Sequence, residues 1–245
     1  KAVSHLYKHY EIDICGNGRI EDLLDRERAA GIERVVVHVA ATAPAQVIPA
    51  NNWAISLQQE HEEVLAFGTL HPSYDKWELE LERLSQAGIK GLKFHAEFQD
   101  FFLDDPALHP IMEAAQDDFV FLFHVGDRLP PEKNPSCPYK LAGLLDLFPR
   151  ARVIAAHMGG YLHWDHALKV LYGRNCWIDT SSTMAFVDDE LLRTMFDSHP
   201  RERILFGSDY PIFDPGREIQ ELARRMHFSD SEMDELLTNA NALLG

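Results

Sequence analysis

Residues 119–124 read FVFLFH, five apolar residues that end in His124. A run this short and this apolar fits a strand buried on both faces, the kind found in parallel sheets. Four further runs share the form: IKGLKFH (89–95), RVIAAH (152–157), CWID (176–179) and ILFGSD (204–209). Each ends in a residue that can bind a metal or move a proton. Successive polar ends lie roughly 20 to 35 residues apart, about one strand-plus-helix unit. In a (β/α)₈ barrel all strands point their C-terminal ends at one face, where the active site is built. The runs therefore predict one pocket assembled from residues far apart in the chain.

Working outward, RVVVHVA (34–40) and Val64–Leu70 read as two earlier strands. Helices are predicted over 20–30, 52–63, 76–87, 106–116, 139–147, 163–171, 188–198, 216–226 and 230–244, with Gly31 stopping the first of them. Alternation of strands and helices argues for a parallel sheet. The count is seven strands where a closed barrel has eight. The chain opens at Lys1 with KAVSHLYKHY, which reads as helix, so the expectation is a (distorted) TIM (β/α)₈ barrel whose first strand precedes Lys1. RLPPEKNPSCP (128–138) is long for a βα loop, and such loops often serve as lids. No repeat, low-complexity tract or linker interrupts the pattern, and residues 1–245 read as one domain.

The length of 245 residues suits such a barrel. Thirty-nine Asp and Glu stand against 23 Lys and Arg, a formal net charge of −16. A field of that sign opposes nucleic acid and anionic membranes, which leaves a small-molecule substrate as the expected partner. Cys15, Cys137 and Cys176 form no CxxC pair or disulfide framework, as suits a reducing cytoplasm. No apolar stretch approaches the ~20 residues of a bilayer span, and no signal segment opens the chain. A homo-oligomer stays open, since interface and core residues read alike.

Strand phase tests whether the polar ends share a face. His124 is in phase with Leu122 and Val120, His157 with Ala155 and Val153, Asp209 with Gly207 and Leu205, and His95 with Lys93. Each can stand in a barrel mouth. The structural alternatives are a satisfied core histidine for His124, a turn cap for Asp209, and a plain tight turn at Met158-Gly159-Gly160 beside His157. Lys93 and His95 are candidates for substrate binding. Arg128 is another, as a clamp for a carboxylate or merely an exposed loop arginine. Asp179 either orients a neighbour or caps the 180–183 turn. His38, His71, His163 and His166 read as surface, loop or core residues.

The segments GLKFH (91–95), FLFHVGD (121–127), VIAAHMGG (153–160), WIDTSS (177–182) and ILFGSDYP (204–211) together resemble the amidohydrolase superfamily, particularly its aminocarboxymuconate-semialdehyde decarboxylase branch. The resemblance runs from about residue 34 to the C-terminus. It implies a distorted TIM barrel with one divalent metal ion, commonly zinc, with manganese as the alternative. It makes His124 a metal ligand. Asp209 becomes a ligand, a proton acceptor or both, and His157 a proton carrier beside the metal. The family's first strand supplies a His-x-His ligand pair. None occurs here, and His5 and His9, four apart on a helix, match it poorly. A second arrangement in the superfamily uses a carboxylated lysine to bridge two ions, a role open to Lys93.

Imidazole and carboxylate suit zinc or a similar ion, and a catalytic site of this kind keeps one position for water. The reading is a metal-dependent hydrolase acting on a small, carboxylate-bearing organic substrate. Non-oxidative decarboxylation of an aromatic or muconate-like acid stands second. Third is a non-catalytic barrel that binds a small anion through Lys93, His95 and Arg128.

Overall fold

The computed structural model describes residues 12–245, so the predicted opening helix lies outside the described residues. Seven parallel strands form one sheet in sequential order. They are β1 (Val35–His38), β2 (Val64–Gly68), β3 (Gly91–Phe94), β4 (Val120–Phe123), β5 (Arg152–Ala155), β6 (Trp177–Asp179) and β7 (Ile204–Leu205). Helix α1 (Ile20–Ala29) precedes β1. The connections carry α2 (Val47–Glu60), α3 (Trp77–Gln86), α4 (Ala96–Gln99), α5 (His109–Ala115), α6 (Pro138–Leu147), α7 (Trp164–Val170) and α8 (Asp189–Asp197), and α9 (Pro215–Met226) and α10 (Asp230–Leu244) follow β7. Among the described residues, none of these helices is long and apolar enough to cross a membrane. The strands and helices fall close to where the sequence predicts them, except that α2 starts five residues early, β7 spans only Ile204–Leu205, and one-turn α4 is too short to show helical periodicity.

Alternation of side chains along each strand sorts the core into two. Val35, Val37, Val64, Ala66, Leu92, Phe94, Phe121, Phe123, Val153, Ala155, Ile178 and Ile204 pack outward into the large cluster shared with the helices. Leu65, Phe67, Val120, Leu122, Ile154 and Leu205 meet in a second cluster with Val36 and Trp177. Residues from β1, β2, β4, β5, β6 and β7 can meet only if the sheet curls, so this second cluster is the interior of a barrel wall. Gly91 on β3 is required by it: a Cβ there would stand 2.4 Å from the Phe67 ring. The register pairs Lys93 with Leu122 and Leu122 with Ile154, which sets these inward residues side by side.

The end of α10 closes the bottom of the barrel. Leu243 and Leu244 join the interior cluster. Arg34, just before β1, donates to the Gly245 carbonyl at 3.1 Å, and Lys90, just before β3, reaches the Leu244 carbonyl at 3.5 Å. Cations at a helix C-terminus are favourably placed against its dipole. Among the described strands β1 and β7 pair with no partner on their outer edges, and a seam runs between them.

At the top, Gln99 of α4 ties three strands together. Its Oε1 accepts from the His95 backbone N–H at 2.8 Å, while its Nε2 donates to the carbonyls of Ala41 and Leu70 at 3.0 and 2.8 Å. Gln99 is fully buried, and its amide fills hydrogen-bonding needs left where β1, β2 and β3 end.

Candidate active site

The chemistry-bearing residues gather at the C-terminal ends of the strands. His38, Lys93 and Asp179 lie on β1, β3 and β6, and His95 and His124 each follow directly on a strand. All five have the inward phase. His157 does not. The residues expected to share its face, Val153 and Ala155, pack outward among the helices. His157 enters the barrel because the strand ends at Ala155 and the chain turns left-handed, with φ of 61°, 51° and 77° at His157, Met158 and Gly159. Asp209, well beyond the end of β7, also has a left-handed φ of 61°.

Asp179 holds the His157 turn. Its Oδ1 accepts from the backbone N–H of His157 at 3.1 Å and of Ser181 at 3.0 Å, and from the Ser181 hydroxyl. It thus both orients a neighbour and caps its own turn, the two roles the sequence left open. His157 Nδ1 lies 3.2 Å from the Ser181 carbonyl and 2.9 Å from Ser181 Oγ, and its Nε2 is 2.9 Å from Nδ1 of His124. A carbonyl only accepts, so Nδ1 of His157 carries the hydrogen. With His157 neutral, its Nε2 accepts from His124 Nδ1–H, which leaves the lone pair of His124 on Nε2. That atom is buried and has no hydrogen-bond partner.

His95 stacks on His124, with ring centroids 3.9 Å apart and planes within 8°. On its other side it stacks on Phe98 at 3.8 Å. Its Nδ1 is 3.3 Å from Oε2 of Glu97. His95, Glu97 and His124 each offer a ligand atom within 4.8 Å of the others. Near-parallel stacked imidazoles do not aim their in-plane lone pairs at a common point, however, so this trio is not an ion cage as it stands.

Burial dominates the electrostatics. It pushes the imidazoles of His95 and His124 well below their usual range, with neighbouring cations adding to the effect. It lowers the Lys93 amine as well, against the opposing pull of Asp179 and Asp209. His38 is lowered by desolvation and by Lys93; its side chain is exposed and lines the crevice. Burial alone would raise the Asp209 carboxyl. The electrostatic influence of His157 and the hydrogen bond from Ser182 Oγ, 2.6 Å from Oδ2, oppose it, and the net shift is downward.

A cavity of about 650 Å³ follows the seam between β1 and β7, and His95 and His124 are not among its lining residues. His38, Lys93, His157, Asp179, Ser181 and Asp209 line its polar end. Leu122, Ile154, Leu205 and Leu244 line its apolar depth. A deep apolar slot with a few convergent polar groups is the usual form of a small-molecule site.

The sequence profile of the amidohydrolase family matches residues 15–245. The chain belongs to that family. Solved structures similar to this amidohydrolase include 5-carboxyvanillate decarboxylase from Sphingomonas paucimobilis, with a TM-score of 0.70 and 17% identity over 95% of this chain and 83% of that one. The 2,6-dihydroxybenzoate decarboxylase from Rhizobium aligns with a TM-score of 0.66 and 18% identity over 100% of this chain and 92% of that one. A 5-carboxyvanillate decarboxylase from Novosphingobium aromaticivorans, with bound manganese and 3-methoxy-4-hydroxy-5-nitrobenzoic acid, gives 0.68 and 16% over 90% and 79%. At these identities the likeness establishes the distorted barrel fold.

Within this amidohydrolase the structure brings Lys93, His157 and Asp209 onto one cavity. It joins His124 to them through His157, and His95 through the stack on His124. Arg128 stays outside: it is exposed, sits within electrostatic reach of Tyr161, and does not line the cavity. The 128–138 loop is a poor lid, because Asn134 and Ser136 are fully buried and Gly126 N–H donates to the Ser136 carbonyl. Sequence reasoning passed over His38, Glu97 and Ser181. The signal for His38 was present, since RVVVHVA has the same run-then-His form as the other strands. Ser181 and Glu97 act through partners distant in sequence, and no local pattern marks them.

Proposed function

We propose that the chain is a metal-dependent decarboxylase of a small carboxylated aromatic acid. The observation that carries this is the convergence of the Lys93 amine and the imidazoles of His38 and His157 with Asp209 on one slot whose depth is apolar. The nitrogen-rich end suits the carboxylate and hydroxyl groups of such an acid, with apolar side chains beneath it. The decarboxylases of similar fold, one of them holding manganese and a substituted benzoate, support this order over hydrolysis, which the sequence alone placed first.

The donor set suits a divalent ion. His124 Nε2 is a buried imidazole nitrogen with its lone pair unengaged, and Asp209 is a half-buried carboxylate whose pKa is held below the usual range. These two residues would hold one ion, manganese or zinc. Such an ion supplies Lewis acidity toward substrate oxygen atoms. Lys93 binds the substrate's negative charge. Ser182 fixes the Asp209 carboxylate through Oδ2. In the reaction the bond between ring carbon and carboxylate breaks, its electron pair stays on the ring carbon, a proton adds there and CO₂ leaves. His157, steered by Ser181 and Asp179, and Asp209 are the groups placed to hold and move that proton.

The test is incubation of the protein with manganese or zinc and a panel of hydroxybenzoates and esters in H₂¹⁸O. Release of CO₂ with no ¹⁸O in the aromatic product supports the proposal. Incorporation of ¹⁸O into a carboxylate product without CO₂ selects hydrolysis. Metal-independent binding of benzoates without turnover selects the anion-binding barrel.

A further inference from the structure

Asp209 stands four residues beyond the end of β7, in a left-handed turn, where the strand ladder no longer fixes its direction. The next residue is fastened from across the seam. Tyr210 donates its phenol hydrogen to Asp22 Oδ2 at 2.5 Å and accepts the Gly18 N–H at 3.2 Å. Asp22 belongs to α1, which precedes β1, while Tyr210 follows β7. The bond therefore spans the open edge of the barrel. Tyr210 lines the seam cavity together with Asp209.

Asp22 is itself held in place for this bond. Its Oδ2 also accepts from the Asn17 N–H and from Arg26 Nε, both at 3.2 Å. The same guanidinium donates through Nη1 to Asp214 Oδ2 at 2.5 Å, and Asp214 caps α9 through the Arg217 N–H at 3.0 Å. Between the main chains, Gly16 N–H reaches the Pro211 carbonyl at 3.0 Å and Cys15 N–H the Ile212 carbonyl at 3.3 Å. A Cβ at Gly16 would run into the Tyr210 ring, so backbone and ring are in close contact. Burial and the bond to Asp22 push the phenol up to about 12, and it keeps its hydrogen at neutral pH. Residues 209–214 thus fold against 15–26 as one unit. Within it the Ile212 N–H closes the turn on the Asp209 carbonyl at 2.9 Å.

We propose that Tyr210 is a positioning residue for Asp209: its phenol, bonded to Asp22 across the seam, holds the left-handed turn that presents the carboxylate to the cavity. Ser182 Oγ steadies the carboxylate through Oδ2 from the β6 side, and Tyr210 steadies the backbone from the α1 side. The inference rests on the reading of Asp209 as a ligand in the proposed metal centre. It makes α1, which bears no ligand of that centre, part of what sets the affinity for metal.

Two measurements test it: the dissociation constant for manganese, and amide hydrogen exchange in the metal-free protein. Tyr210→Phe keeps the ring against Gly16 and removes only the hydroxyl. It is expected to weaken manganese binding about 10- to 100-fold, as loss of a group that orients a ligand does. Exchange at the Ile212 amide should quicken by more than at the amides of β4. In an Asp22→Ala background the Tyr210→Phe change is expected to add nothing, because its partner is already gone. Asp22→Asn keeps an acceptor for the phenol and is expected to restore most of the affinity. A merely structural role lowers the unfolding midpoint and quickens exchange evenly while manganese affinity stays intact in the folded variant. That result overturns the proposal, as does a further loss of affinity from Tyr210→Phe in the Asp22→Ala background. If Tyr210→Phe fails to fold, Asp22→Ala against Asp22→Asn makes the same comparison. If the wild type binds no manganese, the metal-centre reading fails, while selective exchange at Ile212 still decides whether Tyr210 holds the Asp209 turn.

Discussion

Nε2 of His157 stands 2.9 Å from Nδ1 of His124, and the Ser181 carbonyl beyond His157 fixes the direction of that bond. Hydrogen runs from His124 Nδ1 to His157 Nε2, and from His157 Nδ1 to Ser181. The chain of bonds delivers a lone pair to a buried nitrogen of His124 with no other partner. His124→Ala and Asp209→Asn are each expected to abolish uptake of manganese or zinc in elemental analysis. His157→Gln is expected to keep the fold and most of the metal while lowering kcat about 10²- to 10⁴-fold, the usual weight of a positioned proton carrier. Full metal occupancy in His124→Ala would remove this residue from the centre.

Gln99 satisfies two carbonyls and one N–H at the top of the barrel from a fully buried position. Gln99→Leu keeps the volume and strands all three. Each unsatisfied buried group costs about 1–3 kcal/mol, so urea unfolding should show a loss of roughly 3 kcal/mol or more. A loss below 1 kcal/mol would mean that the strand ends find other partners.

Glu27 on α1 is buried, and its Oε2 has no hydrogen-bond partner. Burial, with Asp214 adding to it, pushes its carboxyl from the ordinary 4.5 up to about 7. Below the unfolded value both states hold the proton and the group is neutral to stability. Between the two values the native state keeps a proton that the unfolded state releases, so stability falls as pH rises. Above the folded value the full penalty applies, roughly 3 kcal/mol at 1.36 kcal/mol per pKa unit. Glu27→Gln should therefore stabilise the protein at pH 8 and leave it unchanged at pH 4. Equal effects at both pH values would show that the carboxyl titrates alike in the native and unfolded states.

Arg225 is nearly buried, and it ties α9 to the segment after β6. Its guanidinium donates to Asp189 Oδ1 at 2.6 Å and to the carbonyls of Met184 and Val187, both at 2.7 Å. That segment includes Ser181 and Ser182, which bond to His157 and Asp209. Arg225→Met is expected to cost about 2–4 kcal/mol through the stranded carbonyls and to lower activity as well as stability. Wild-type activity in the folded variant would separate this clamp from the site.

The strands were legible because burial on both faces of a parallel sheet demands unbroken apolar runs, and FVFLFH or RVIAAH can hardly serve otherwise. His124, Lys93 and His95 were legible by phase along those runs. His157 was legible by type but not by direction, because its entry into the barrel depends on three successive left-handed residues that alternation does not describe. Glu97, Ser181 and Gln99 were illegible, since each matters through a bond to an atom brought near only by folding. The seam cavity was legible only as a missing strand. Its lining joins α1, β1, β7 and α10, elements from the two ends of the described chain.

His157, Ser182 and Asp209 share a backbone state, with φ of 61°, 47° and 61°. Apart from glycine, that state is populated mainly by asparagine, aspartate and histidine. Two of these types are metal ligands and proton carriers. The turns that end β5 and β7 thus favour, at His157 and Asp209, a short alphabet rich in reactive side chains, even though the same backbone state also carries Met158 and Ser182. A barrel rim built on left-handed turns is in this sense predisposed to acquire new reactions without remaking its wall.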